Sequence, residues 1–158
     1  MQTDYQMVGF HFMVTFNDLP NAKREDVRFQ SVAGLDVQMD TEEWKEGGEN
    51  RFTHALPGRS KFSSSLVLKR GLIKPKQSGI TDWCLEAFVD LKIAPLKVVS
   101  VELLDEDHQV LVKWDVEHVW PKSWKIGELN AERSEVLIET LELHYNRFTY
   151  KNAQSGAA

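Results

Sequence analysis

The stretch that decides the fold is VLVKWDVEHVW, residues 110–120, in which residues of two kinds alternate. One face carries Val110, Val112, Trp114, Val116, His118 and Trp120. The opposite face carries Leu111, Lys113, Asp115, Glu117 and Val119. A period of two turns one set of side chains toward a core and the other toward solvent, as in a half-buried antiparallel strand. The stretch therefore predicts a long antiparallel β-strand.

Most of the remaining chain shows the same signal. Residues 10–16 and 27–39 alternate in the same way, the second run with Val37 and Met39 on its apolar face. Runs rich in Val, Ile and Leu also predict strands at 66–69, 96–104 and 136–145. The polar residues 105–108 separate two strands and predict a turn.

One segment has helical spacing. Its apolar residues fall at i, i+3, i+4, i+7, i+8 and i+11, namely Ile80, Trp83, Cys84, Ala87, Phe88 and Leu91. Ser78 is a suitable N-cap, Asp82 lies in the first turn, and Pro95 stands beyond the end. We predict a mainly β protein, a small antiparallel β-barrel or sandwich with one flanking α-helix at about 79–91.

Length and charge limit the function. The 158 residues suit one domain, which we place at 1–150, followed by a short flexible C-terminal tail at 151–158. With 24 acidic and 19 basic side chains, the net charge is −5. A mildly acidic protein is poorly suited to sequence-independent binding of nucleic acid or to docking on an anionic membrane. No apolar run reaches the length of a membrane helix, and the first residues do not resemble a secretory signal peptide.

Motifs for catalysis are missing from the sequence. The five histidines lack metal-binding spacing, and the single cysteine, Cys84, lies on the apolar face of the predicted helix. No nucleophile elbow or phosphate-binding glycine loop occurs. Glu139 and Glu142 leave a glycosidase-like pair open, but a solvated or interface face is the favoured interpretation. We expect no catalytic, cofactor or metal site, and no enzyme activity.

The stretch TEEWKEGGENRFTHALPGR, residues 41–59, interrupts the pattern of strands. It is longer than most loops, and its apolar side chains argue against disorder. A two-residue hairpin turn at Gly47-Gly48 would oppose Glu46 to Glu49, a like-charge pair that destabilises an isolated hairpin. We therefore predict a protruding hairpin arm that another surface completes, with an ordinary surface loop as the alternative. Its candidate interface residues are Trp44, Glu46, Gly47, Gly48, Glu49, Asn50, Phe52, Leu56, Pro57 and Gly58.

A colinear series of motifs covers nearly all of residues 8–145. It comprises FQSVAGLDV (29–37), EEWKEGGEN (42–50), ALPGR (55–59), LVLKRGL (66–72), DWCLEAF (82–88), VELLDEDHQVLVKW (101–114), VWPKSW (119–124) and LNAERSEVLIETLEL (129–143). Through this series the chain resembles the tail-tube protein family of contractile-tailed phages and of related extracellular contractile injection particles. It departs from the family pattern at residues 145–148, YNRF.

The resemblance implies a structural role. It implies hexameric rings that stack into a tube, a central channel for protein cargo or DNA, and contacts with sheath, baseplate and tube-terminator proteins. It also implies assembly in the bacterial cytoplasm and a place in a phage tail or a released particle. Candidate strand-edge or channel-facing residues are Lys113, Asp115, Glu117, Glu139 and Glu142. Two alternatives stay open: an initiator ring that joins the tube to the baseplate, and a monomeric small-barrel module that binds a ligand.

Overall fold

The computed structural model describes residues 11–23, 26, 28–45, 47–48, 51–74 and 76–152. In chain order the elements are β1 (Phe12–Phe16), β2 (Ser31–Ala33), β3 (Val37–Trp44), β4 (His54–Phe62), β5 (Ser65–Gly71), α1 (Gly79–Phe88), β6 (Leu96–Leu104), β7 (Val110–Ile126), β8 (Ile138–His144) and β9 (Arg147–Asn152). The predicted class, mainly β with one helix, is confirmed.

The 17-residue strand β7 belongs to two sheets at once. Its first half pairs with β6 and β9, and β1 adds to β6, which forms sheet A (β1-β6-β7-β9). Its second half pairs with β8, which is followed by β5 and β2, and these strands form sheet B. All pairs are antiparallel, and the described strands do not close into a barrel. Of the two predicted forms, the sandwich is therefore the observed one.

The core lies between the two sheets. Val14 and Val101 from sheet A meet Leu66 and Leu141 from sheet B in one apolar cluster. Trp83 of α1 reaches the same cluster, where its ring lies 6.3 Å from that of Phe16. The helix thus covers one side of the sandwich.

The alternation predicted for residues 110–120 holds only as far as Glu117. Val112 and Val116 are buried as expected, but His118 is exposed and Val119 is fully buried instead. The cause is the backbone of His118, whose φ of +56° lies in the left-handed region and shifts the inward face by one residue. The shift occurs where β7 passes from sheet A to sheet B, so it bends the strand from one sheet into the other.

The helix begins as predicted and ends early. The hydroxyl of Ser78 accepts a hydrogen bond from the Thr81 N–H, and Asp82 lies in the first turn. However, α1 ends at Phe88, and Leu91 adopts a left-handed φ of +54° with its side chain in solvent. The prediction that Leu91 completes the buried apolar stripe was therefore wrong.

A buried polar network ties the N-terminal end of α1 to sheet B. The Arg70 guanidinium contacts Asp26 at 3.2 Å, donates to the hydroxyls of Ser78 and Thr81, and donates through Nε to Glu139. Because every polar group in this cluster has a partner, the buried charges are compensated.

The C-terminal segment completes sheet A. Tyr145 is fully buried and its hydroxyl donates to the carbonyl of Gly34 at 2.6 Å, while Phe148 packs against the core. Strand β9 runs to Asn152, so the first two residues of the predicted tail, 151 and 152, are paired with β7. The rest of that tail, residues 153–158, lies outside the described residues.

Candidate assembly interface

The predicted arm is a two-stranded hairpin that forms a sheet of its own. Strands β3 and β4 pair antiparallel from Val37↔Phe62 to Trp44↔His54 and hydrogen-bond to no other described strand. We call β3, the loop 45–53 and β4 the arm hairpin. It is longer than the predicted range of 41–59, because both strands extend beyond that range.

The tip of the arm hairpin is a wide loop. A two-residue turn at Gly47-Gly48 would pair Trp44 with Arg51, but Trp44 instead pairs with His54. The ring centroids of Trp44 and Phe52 lie 5.8 and 4.7 Å from that of His54. The tip therefore presents an aromatic cluster. The predicted interface residues Glu46, Glu49 and Asn50 lie outside the described residues.

The sequence LPGR forms an irregularity in the middle of the arm hairpin. The register shifts between Met39 and Thr41, and Pro57 pairs with Thr41 next to this shift. Proline in a sheet is confined to edges and bulges, because it has no N–H to donate. A Cβ on Gly58 would lie 3.0 Å from the Asp40 carbonyl oxygen, so a larger residue would push the strands apart. Pro57 and Gly58 thus determine the backbone geometry of the arm hairpin.

The arm hairpin exposes apolar side chains on a single chain. Five of them are 46–56% exposed, and these are Val37, Met39, Trp44, Phe52 and Leu56. For two of the five, Val37 and Met39, the prediction was wrong, because their alternation with residues 27–35 places them in the core. Gly34 explains the difference: its φ of +101° ends the run, and β3 starts anew at Val37. Large exposed apolar patches commonly mark interaction sites, so the arm hairpin is the candidate assembly interface.

Three of the predicted channel-facing residues share the outer face of sheet A. Lys113, Asp115 and Glu117 lie there beside Arg147 and Lys151 of β9. Arg147 Nε lies 2.6 Å from a Glu117 carboxylate oxygen, and the hydrogen bond lowers the pKa of Glu117. Burial alone would raise the pKa of Asp115, but contacts with Ser100, Lys151 and Lys113 outweigh it and lower that pKa. Asp115 and Glu117 are therefore both paired with cations of the same chain.

The other two candidates, Glu142 and Glu139, lie on opposite sides of β8. Glu142 faces outward, where hydrogen bonds from Ser65 at 2.6 Å and from Lys122 lower its pKa. Glu139 is 3% exposed, accepts from Arg70 and from the indole of Trp124, and so faces the interior. The prediction that Glu139 lies on a channel or edge surface was wrong. The two carboxylates do not converge on one cleft.

Metal-ligating side chains do not cluster in the described part of the chain. No set of three or more His, Cys, Asp or Glu side chains is placed there to hold a metal ion. Burial, together with the nearby Glu139 carboxylate, raises the pKa of Cys84 to about 12, so its thiol stays protonated. Among the described helices, none has the length and apolar character to cross a membrane.

Comparison with known proteins connects this geometry to a family. The family model for T4-like virus tail tube protein gp19 matches residues 8–149. The chain belongs to this tail tube family. The resemblance inferred from the motifs is thereby confirmed. No curated protein sequence matches the chain.

Solved structures share the fold of this tail tube family member. A chain in the baseplate of the anti-feeding prophage is 29% identical, with a TM-score of 0.83 over 96% of this chain and 99% of that one. A chain in the sheath-tube complex of an extracellular contractile injection system is 21% identical, with a TM-score of 0.77 over 94% of this chain and 93% of that one. A type six secretion system protein is 14% identical, with a TM-score of 0.59 over 91% of this chain and 84% of that one. The last two show likeness of fold alone.

Proposed function

We propose that the protein is a structural subunit of the inner tube of a contractile tail or injection particle. It forms hexameric rings that stack around a central channel, through which protein cargo or DNA passes without specific binding. It acts without a catalytic role. The observation that carries the proposal is the apolar arm hairpin of a tail tube family member, which projects from a complete core and has no partner strand among the described residues.

The arm hairpin supplies the contact between subunits. Full burial of an apolar side chain such as Trp44 or Phe52 stabilises by about 1.5–3 kcal/mol. In a closed ring each contact is repeated at every subunit, because identical subunits present the same surface and the same complement. The neighbouring copy in the same ring or in the next ring therefore buries the arm hairpin.

Free sheet edges offer the second contact. Within the described chain, β1, β2 and β9 each pair on one side only. A single protein must protect such edges from uncontrolled pairing, whereas a ring of copies can pair them and close. Edge pairing and the arm hairpin together hold the subunits in the ring, while sheath, baseplate and terminator proteins contact the finished tube.

Electron microscopy and mass measurement test the proposal. Purified protein viewed in negative stain is expected to form rings or stacked tubes, with a native mass of six times the 18.2 kDa chain. Particles that stay monomeric at high concentration would contradict it and support the ligand-binding module instead. A ring of another stoichiometry would contradict the hexamer while keeping the tube.

A second candidate function is the initiator ring that joins tube to baseplate. It is favoured by the 29% identical structure, which is that of a baseplate. Copy number separates the two functions. A tag on this chain that labels purified particles along their whole length supports the repeating subunit, and label at one end supports the initiator ring.

A further inference from the structure

The outer face of sheet A carries no net charge, although the whole chain carries −5. Three cations and three acids lie on the neighbouring strands β6, β7 and β9 of this face, and their charges cancel. The six residues are Glu102, Lys113, Asp115, Glu117, Arg147 and Lys151. The excess of acids therefore lies elsewhere in the chain.

Asp115 lies in the middle of this face. Its carboxylate oxygens lie 3.2 Å from the Lys151 ammonium and 3.6 Å from the Lys113 ammonium. The buried hydroxyl of Ser100 donates to the same carboxylate at 2.8 Å and accepts from the Asn17 amide at 3.0 Å. A carboxylate that is only 14% exposed is thus fixed between two lysines by a chain of hydrogen bonds.

The strand register explains why the charge of Asp115 matters. Lys113 and Lys151 lie directly opposite each other on β7 and β9, and like charges in that position repel. Asp115 lies two residues further along β7 on the same face and contacts both lysines, so loss of its charge leaves them in mutual repulsion. Clustered cations that lack acid partners are the usual feature of a surface that binds polyanions.

Two further acids balance the remaining charge. Nε and a terminal nitrogen of Arg147 lie 2.6 and 3.5 Å from the two carboxylate oxygens of Glu117. Glu102 on β6 lies directly opposite Lys113. Each cation of this face thus has an acid of the same chain beside it, although the side chains of Arg147 and Lys151 are 62% and 55% exposed.

The centre of this face, as the structure describes it, has no exposed apolar anchor. Among the exposed large apolar side chains of the described residues, Leu111 near the start of β7 is the one on this face, and it is 38% exposed. Surfaces that hold polymers use net charge or contiguous apolar area, and this face offers neither. Its cations would hold an anionic polymer only if the acids beside them were absent.

We propose that the outer face of sheet A is a masked polyanion site. Its three cations have the exposure and spacing to bind phosphate or sulfate groups of a polymer, and its three acids prevent that binding. Asp115 contributes most to the masking, because it contacts two of the cations. This property belongs to the single chain. Its use, to let nucleic acid or acidic protein pass without adhesion, rests on the proposed function.

Removal of the three acids is expected to unmask the site. The triple variant Glu102→Gln, Asp115→Asn, Glu117→Gln is compared with the unsubstituted chain for binding to a fluorescent DNA duplex, measured by anisotropy at about 0.02 M salt. The variant is expected to bind and the unsubstituted chain is not. Because three cations contact phosphates, raising the salt concentration tenfold should weaken the binding roughly 500-fold. Binding of DNA by the unsubstituted chain would overturn the proposal.

A second triple variant makes the same change in total charge at another place. Glu128→Gln, Glu132→Gln and Glu135→Gln remove three exposed acids from the loop between β7 and β8, where Arg133 is the accompanying cation. This control is expected not to bind DNA. Equal binding by both triple variants would show that total charge rather than masking governs the affinity, and binding by neither would show that the face holds no polyanion site. Either result would overturn the proposal.

Single variants rank the acids and guard against a failure to fold. Asp115→Asn is expected to raise DNA affinity more than Glu117→Gln, because it frees two lysines rather than one arginine. The reverse order would overturn the role of Asp115. If circular dichroism shows that the triple variant is unfolded, Glu117→Gln still tests the proposal, since its ion pair is exposed and a lack of any gain would refute it. Microscopy of the unsubstituted chain tests the proposed function separately, because an absence of rings contradicts that function and leaves the DNA result unaffected.

Discussion

At Gly34 the absence of a side chain lets the segment before β3 approach Ser65, the first residue of β5, closely. The residue has φ of +101°, and a Cβ there would lie 1.9 Å from the Ser65 carbonyl oxygen. Gly34→Ala is therefore expected to destabilise the protein by at least about 2 kcal/mol, measured by urea unfolding. Gly47→Ala is the matched control, since no atom lies within 4 Å of its Cβ, and its effect should stay within about 0.5 kcal/mol. Equal effects of the two substitutions would show that the close approach is misjudged.

The ionisation of Asp26 makes the free energy of unfolding depend on pH in the acid range. Burial alone would raise its pKa, but hydrogen bonds from Ser78, from the N–H groups of Lys23 and Gly79, and from Arg70 lower that pKa below its usual 3.8. A carboxyl group with a lowered folded pKa stabilises the fold above its unfolded pKa, and this contribution is lost as pH falls toward the folded value.

The Asp26→Asn variant makes this contribution measurable. At pH 7 the substitution is expected to cost about 3 kcal/mol of unfolding free energy, because it removes one partner of a buried ion pair. The difference from the unsubstituted protein should shrink as pH falls below about 4. Glu106→Gln, at an exposed turn, is the control and should show no such convergence. A difference that stays constant down to pH 2 would contradict the assigned role of Asp26.

Two residues show what sequence alone predicts at this scale. Ser78 was recognisable as an N-cap, because capping depends on neighbours along the chain. Glu139 was misread as exposed, although its spacing from Leu141 and Leu143 already placed it on their face of β8. The burial of Glu139 depends on its partner Arg70, and a local sequence pattern cannot reveal that partner. Arg70 is distant in sequence and reaches Glu139 only after β5 and β8 pair.

At the scale of elements, the arm hairpin is separable from the sandwich. It forms its own two-stranded sheet, and among its described apolar side chains Phe62, at the end of β4, is the one that packs against the core. Deletion of residues 46–50 is therefore expected to abolish ring closure or stacking while the sandwich stays folded. Circular dichroism and negative-stain microscopy of the same sample measure both outcomes. Loss of the β signal would show that the arm hairpin belongs to the core.

Periodicity predicted the elements better than their ends. The alternation of residues 110–117 and the helical spacing of residues 80–88 both match the structure. The predictions failed where a non-glycine residue takes a left-handed backbone, at His118 within β7 and at Leu91 after α1. Such residues do not carry the glycine signal by which a sequence usually marks a left-handed position. The tip of the arm hairpin was misjudged for another reason, since Gly47-Gly48 suits a tight turn and the loop 45–53 is wider.

At the scale of the whole molecule, net charge acts on assembly. Each chain carries −5, so in the proposed tube the stacked rings of identical chains repel one another. Raising the salt concentration from about 0.02 M to about 0.5 M screens this repulsion and leaves apolar burial in the arm hairpin intact. Tubes of the purified protein are therefore expected to lengthen with salt, as measured by microscopy or light scattering. Shortening would show that ion pairs between rings dominate.

The sharing of β7 between both sheets has a consequence for synthesis on the ribosome. Neither sheet is complete until β8 and β9 pair with β7, and these are the last two strands of the described chain. A growing polypeptide thus has no finished sandwich until β8 and β9 have emerged from the ribosome, and long-range pairing of this kind is slow. For the proposed tube subunit, we therefore expect that a chain still lacking β8 and β9 does not enter a ring.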